Sequence, residues 1–296
     1  MPAPSFRSLL PSRGVRVIAG LMLSAACIQL HAAPQVAASI PPLQLIAAAV
    51  MDGVGEPLLA LGAGQDPHSI SLRPSERRTL AEADLVLWVG PALELPLVDI
   101  LQNDTERLLT AQDIAGMKLV PGGDEVDPHL WLDLGNATRI ASALSQRLAA
   151  LDPSNAARYA ANAERFEATL MALRHRIEQE LERARPSTWA VYHHAFIYME
   201  QELALPAALS LTDSNGTMAG LRTLMGLRAE MQRARLACLV AEPGVDTSKV
   251  RNLLDLPTLA VREVDVMGAD ETVDASAYAR MYETIVAAIL ECGAKE

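Results

Sequence analysis

Asp-Pro-His occurs twice in this chain, at Asp66-Pro67-His68 and at Asp127-Pro128-His129. Imidazole is a good ligand for borderline divalent metals, and it serves best when its angle is fixed. Proline can fix it, because it locks its own φ and pushes the preceding residue into an extended conformation. A third histidine, His193, directly follows a strand expected at 188–192, and a carboxylate, Asp265, follows one expected at 258–264. All four are read at the carboxyl ends of strands. Three neutral imidazoles and one carboxylate complete a four-coordinate site, for which Zn²⁺ is the natural occupant. Four protein ligands close such a site; a catalytic metal keeps a position open for water.

Taken singly, each loop histidine has an ordinary reading as a surface or satisfied polar group; their shared position argues for ligation. His194 adjoins His193 and is expected to point elsewhere, into the layer around the site or its rim. His175 falls inside a long helix and reads as a solvated surface residue. Glu242, in Ala241-Glu242-Pro243-Gly244 at a strand end, reads either as an acceptor that fixes a histidine tautomer or as a helix-entry cap.

The elements that must position these residues centre on 153–185. Tyr159, Ala163, Phe166, Leu170, Leu173, Ile177 and Leu181 recur at steps of four and three, one apolar stripe of a helix. Asp152 is placed as its N-cap, Pro153 at its first position, and Pro186 stops it. At 1.5 Å per residue the rod would be about 50 Å long. On either side strands alternate with helices, including strands at 36–40, 85–89 and 236–241 and a closing helix at 275–291. Asn136 is placed as the cap of a helix through Leu151. Such alternation predicts parallel sheets flanked by helices, with ligands beyond the carboxyl ends of the strands.

The chain has 296 residues, 50% of them hydrophobic and 21% charged, enough for two domains with a sizeable core. Arg7, Arg13 and Arg16 precede an apolar run at 17–30, followed by Ala32 and Ala33, a pattern expected of a cleaved secretory signal. An uncleaved anchor and lipid attachment at Cys27 are the alternatives. Cleavage near Ala32 or Ala33 removes those three arginines and no acid, taking the net charge from −11 to −14. That balance does not suit nucleic acid. Cys238 and Cys292 then remain as an even pair, read in an oxidising compartment as a disulfide, or else as two buried free thiols. There is no Gly-x-Gly-x-x-Gly after a strand and no Walker-type loop.

Seven stretches carry a resemblance to a known family: 39–43, 66–75, 83–90, 127–131, 192–196, 241–243 and 265–268. On these the chain resembles the periplasmic zinc-binding proteins of ABC importers whose two lobes are joined by one long helix. The resemblance implies that His68, His129, His193 and Asp265 are the metal ligands, with histidine at all three imidazole places, one of which manganese members typically replace with a carboxylate. It implies a Cys238–Cys292 disulfide as in zinc members, and an ABC permease as partner. Two stretches depart from the family pattern. The loop at 121–126 is short and lacks histidine, and Asp213-Ser214-Asn215-Gly216-Thr217 is unusual and could place Asp213 at the crevice.

The resulting expectation is an α/β protein of two lobes, each a mostly parallel sheet flanked by helices. A signal occupies 1–33, a first lobe 34–151, a linking helix 152–186 and a second lobe 187–296. It is expected to be a monomer that captures one Zn²⁺ between its lobes and delivers it to a permease, without enzymatic activity. A manganese or iron receptor of the same fold is the nearest alternative, and a secreted zinc hydrolase using Glu242 as base a further one.

Overall fold

A computed structural model describes residues 1, 32–62, 65, 68, 70–101, 104–122, 125–236 and 238–293. The basic and apolar stretch expected to be a signal, with Cys27 and His31, lies outside them, as do Asp66 and Pro67. Contacts separate Met1–Ala32 from Ala33–Glu296, and both sheets belong to the second unit. Among the described residues no helix is long and apolar enough to cross a membrane.

The first half runs β1 (Val36–Ala38), α1 (Pro41–Met51), β2 (Leu58–Leu59), α2 (Pro74–Glu82), β3 (Leu85–Trp88), the short helices α3 (Pro91–Glu94) and α4 (Val98–Leu101), and β4 (Leu108–Thr110). Next come α5 (Leu134–Leu151) and the long α6 (Ala156–Ala184). The second half runs β5 (Ala190–Val191), α7 (Ile197–Glu202), β6 (Leu209–Ser210), α8 (Leu221–Arg233), β7 (Cys238–Ala241), α9 (Thr247–Leu254), β8 (Ala260–Glu263) and α10 (Ala277–Cys292). The sheets are ordered β2-β1-β3-β4 and β6-β5-β7-β8, and every pairing is parallel. The two halves thus repeat one topology, and in each the strand order reverses beside the first strand of the sheet, where such folds bind ligands.

The stripe on α6 is buried as its spacing requires: Tyr159, Phe166, Leu170, Leu173, Ile177 and Leu181 all face the core. The start of the helix differs from expectation. Pro153–Asn155 forms a 3-10 turn, and Asp152 accepts hydrogen bonds from Ser154 Oγ, Asn155 Nδ2 (2.6 Å) and Tyr159 Oη (3.0 Å), so it staples the turn rather than capping the helix. Asn162 joins the buried stripe because its amide donates to the Val50 and Asp52 carbonyls, two of the groups left unpaired at the end of α1. Asn136 is likewise no cap. Asp133 caps α5, accepting from Asn136 N, while the Asn136 side chain holds the Lys118 backbone at both N–H and C=O.

The spacing of Leu43, Ile46 and Val50 predicts one buried face for α1, yet every residue of it except Gln44 is buried. A helix apolar all round belongs in the interior, and α1 packs against α5, α6 and α10. One continuous apolar core therefore runs beneath both sheets. Cys238 and Cys292 are bonded, tying β7 to the end of α10.

In α3 the fully buried Glu94 turns back on the end of β3. Its Oε2 accepts from Val89 N (2.8 Å) and Gly90 N (3.0 Å). Its Oε1 and the Oγ of neighbouring Ser39 are buried side by side. Burial outweighs those contacts and pushes the Glu94 carboxyl up to about 7.

Candidate metal centre

His68, His129 and His193 converge. Each offers a ring nitrogen within 4.8 Å of those of the other two. The ring centroids lie 5.6 Å apart for His68–His129, 5.6 Å for His68–His193 and 5.0 Å for His129–His193. They face a cavity of about 570 Å³ between the two sheets, lined also by Ile40 and Pro41 after β1, Glu242 after β7 and Asp265 after β8.

His68 follows β2 and His193 follows β5, as expected. His129 does not follow a strand of either sheet. An isolated bridge, Pro121 with Val126, folds the chain back, and Asp127 N donates to Val120 O at 2.8 Å. Asp127 then does more for His129 than its place in the Asp-Pro-His motif suggests. Its Oδ1 accepts from the His129 backbone N–H at 3.0 Å and lies 3.0 Å from His129 Nδ1. With Nδ1 engaged by Asp127, Nε2 is the ring nitrogen left for another partner. The signal is in the sequence: a carboxylate two residues before a histidine, across a proline that bends them together.

The rest of that loop is held by the second half of the chain. Tyr198 of α7 donates to Asp127 O (2.8 Å) and accepts from Val120 N (3.1 Å). Trp131 donates its indole N–H to Val266 O at 3.2 Å, and Tyr278 and Tyr282 of α10 donate to the Trp131 and Leu132 carbonyls. Beside them Glu202 accepts from Leu134 N at 2.6 Å and pairs with Arg174; burial, then the Asp133 charge, raise its carboxyl to about 7.

Glu242 stands 3.1 Å from His193 Nδ1, within hydrogen-bonding distance. Nε2 of His193 lies 3.1 Å from the Ser214 carbonyl oxygen. Electrostatics differ between the two histidines. Burial holds His129 below the usual imidazole range, despite Asp127. Burial acts the same way on His193 and is the largest single influence, but the Glu242 contact and charge, the Ser214 carbonyl and the Asp127 charge together outweigh it and raise the net value.

Asp265 lines the cavity but is not part of the three-histidine cluster. Its Oδ1 accepts from Met267 N (2.9 Å) and its Oδ2 from Asp270 N (3.2 Å), so both oxygens shape their own turn. Gly268, with φ +63°, lets that turn descend on the core; a Cβ there would meet Leu45 Cδ1 at 2.8 Å and Met281 Sδ at 2.9 Å. His194 does not line the cavity; it neighbours the buried carboxylate of Glu200. Asp213 does not reach it either. Asp213 is exposed and accepts from Asn215 N and Thr217 N, and it is the carbonyl of Ser214 that touches His193.

Two parallel α/β lobes, a long helix and a crevice holding three convergent imidazoles define a two-lobed binding protein built to hold a small cation. A family model described as ZnuA, zinc-uptake complex component A, periplasmic, matches residues 36–292, and the chain belongs to that family. It is 26% identical over 283 residues to the high-affinity zinc uptake system protein ZnuA of Haemophilus ducreyi, covering 86% of this chain and 91% of that one. The ZnuA of Brucella suis is 25% identical over 307 residues, covering 88% and 92%. A zinc-bound deletion mutant of ZnuA superposes with a TM-score of 0.77 at 21% identity, covering 89% of this chain and 99% of that one. The laminin-binding protein Lmb of Streptococcus agalactiae, described as an adhesin with metal-transporting activity, superposes at 0.75 with 18% identity, covering 86% and 99%. These structural likenesses establish the fold.

Proposed function

We propose that this protein is a periplasmic zinc receptor. It takes one Zn²⁺ through His68, His129 and His193, with Asp265 as fourth donor, and passes it to the membrane permease of an ABC importer. Export would follow from removal of 1–33, leaving lobes at 34–151 and 187–296 around the linker 152–186. The observation that carries the reading is the convergence of three imidazole nitrogens within 4.8 Å. Two of the rings have a carboxylate on the nitrogen turned away from the ion, the arrangement that fixes tautomer and raises ligand basicity. Three nitrogen donors suit Zn²⁺ better than the harder Mn²⁺, which prefers oxygen. The protein acts as a receptor rather than an enzyme, because four protein donors leave no position for an attacking water.

The test is metal content and calorimetry on the exported chain, purified without chelator. One zinc per chain, not displaced by equimolar Mn²⁺, is the expected result; displacement by Mn²⁺ would overturn the assignment. Asp265→Asn should weaken zinc less than His129→Gln, because the Asp265 oxygens already serve two backbone N–H groups.

A further inference from the structure

We infer that Glu76 is a positioning residue for His68, holding the segment that presents this ligand to the ion, an inference that rests on the receptor reading above. Asp127 and Glu242 each meet a ring nitrogen of the histidine they support. Glu76 instead acts on residues to either side of His68. Its Oε1 accepts from Gly62 N at 3.1 Å and from Gln65 Nε2 at 2.7 Å, and its Oε2 accepts from Arg73 N at 2.7 Å. A single carboxylate therefore ties the segment 62–73 at points before the ligand and after it. Gly62, Gln65 and His68 all line the cavity.

Both ends of the segment rest on regular structure. Ala60 N donates to Ala38 O at 2.7 Å and Leu61 N to Ser39 O at 3.2 Å, which continues the pairing of β2 with β1 up to Gly62. At the other end the chain enters α2, where Arg77 N donates to Arg73 O at 3.1 Å. A glutamate in the first turn suits a helix N-terminus, and its bond to Arg73 N is what a cap of α2 needs. Capping accounts for Oε2 alone. Oε1 is turned from the helix to Gly62 and Gln65, and Gly62 is fitted to that approach, because a Cβ there would stand 3.1 Å from Oε1. Glu76 is buried, so its bonds are charge-assisted and sheltered from water. Without them, ordering of the segment would fall on the binding step and weaken it.

Glu76→Gln keeps the size of the side chain, removes the charge and brings an amide N–H group against one of the donors. Zinc affinity, read by competition with a chelator, should fall about tenfold. A double-mutant cycle with His68→Gln separates positioning from a general loss of stability. With that ligand gone there is nothing left to position, so in the His68→Gln background Glu76→Gln should change affinity by less than about twofold. Equal losses in both backgrounds, or no loss in either, would overturn the inference. Gln65→Ala removes one tie and leaves the cap of α2 in place. It should weaken zinc about threefold, the scale of one hydrogen bond, and unchanged affinity there would show that the carboxylate serves only the helix. An unaltered chain that binds no zinc would end the receptor reading itself, whereas one zinc per chain with an additive cycle would end only the role of Glu76.

Discussion

The Tyr198 hydroxyl donates to the Asp127 carbonyl over 2.8 Å, and the Asp127 carboxylate in turn meets both the backbone N–H and the Nδ1 of His129. A residue of the second half thereby sets the ring of a histidine encoded in the first. Tyr198→Phe keeps the packing and removes the tie. Zinc affinity should fall about tenfold, the usual loss when a partner behind a ligand is removed. A loss of stability with unchanged affinity would show that the hydroxyl serves only the fold.

Glu242→Gln addresses the other carboxylate behind a ligand. The amide can still accept from His193 Nδ1–H but carries no charge. Affinity measured against a chromophoric chelator should drop about tenfold.

Glu94 gives the fold a pH dependence of its own. Its carboxyl titrates near 4.5 in the unfolded chain and is raised by burial to about 7 in the native one. Between those values only the folded chain holds the proton, so stability falls as pH rises through the window and levels off above it. Glu94→Gln removes that slope, and its amide can donate to Ser39 Oγ. In urea titrations the variant should be more stable than the unaltered chain above pH 7, by up to about 3 kcal/mol. Parallel pH profiles for the two proteins would count against a native-state proton on Glu94.

The Cys238–Cys292 bond closes a separation of 54 residues. The chain-entropy model gives such a loop about 4 kcal/mol of stabilisation. Cys238→Ala/Cys292→Ala should lower the urea midpoint accordingly. Zinc stoichiometry should persist under folding conditions, because neither cysteine lines the cavity.

Periodicity makes much of the scaffold legible. The α6 stripe, the buried run in β3 and the strand–helix alternation all follow from side-chain spacing, and three of the four proposed donors meet in the crevice that the alternation predicts. Sequence and structure differ where side chains hold backbone rather than follow a period. Asn136 looks like a cap because its residue type suits one, but it clamps Lys118, and Asp133 takes the capping position. Nothing local marks Asn162 as buried, since its partners are carbonyls more than a hundred residues away. His129 reads as following a strand, and instead it rests on a bridge between Pro121 and Val126 and on tyrosines distant in sequence. The contact of the Ser214 carbonyl with His193 is not legible because a backbone carbonyl has no residue type to read.

The tyrosine and tryptophan ties around 127–132 bear on how such a gene could be divided. A break introduced within Ala156–Ala184 would put the two sheets on different fragments. It would also strand His129 on a fragment lacking Tyr198, Tyr278 and Val266, the residues that hold its loop. Neither fragment would carry a finished binding pocket. Complementation by co-expressed fragments would have to rebuild the aromatic clasp before any ion could be gripped.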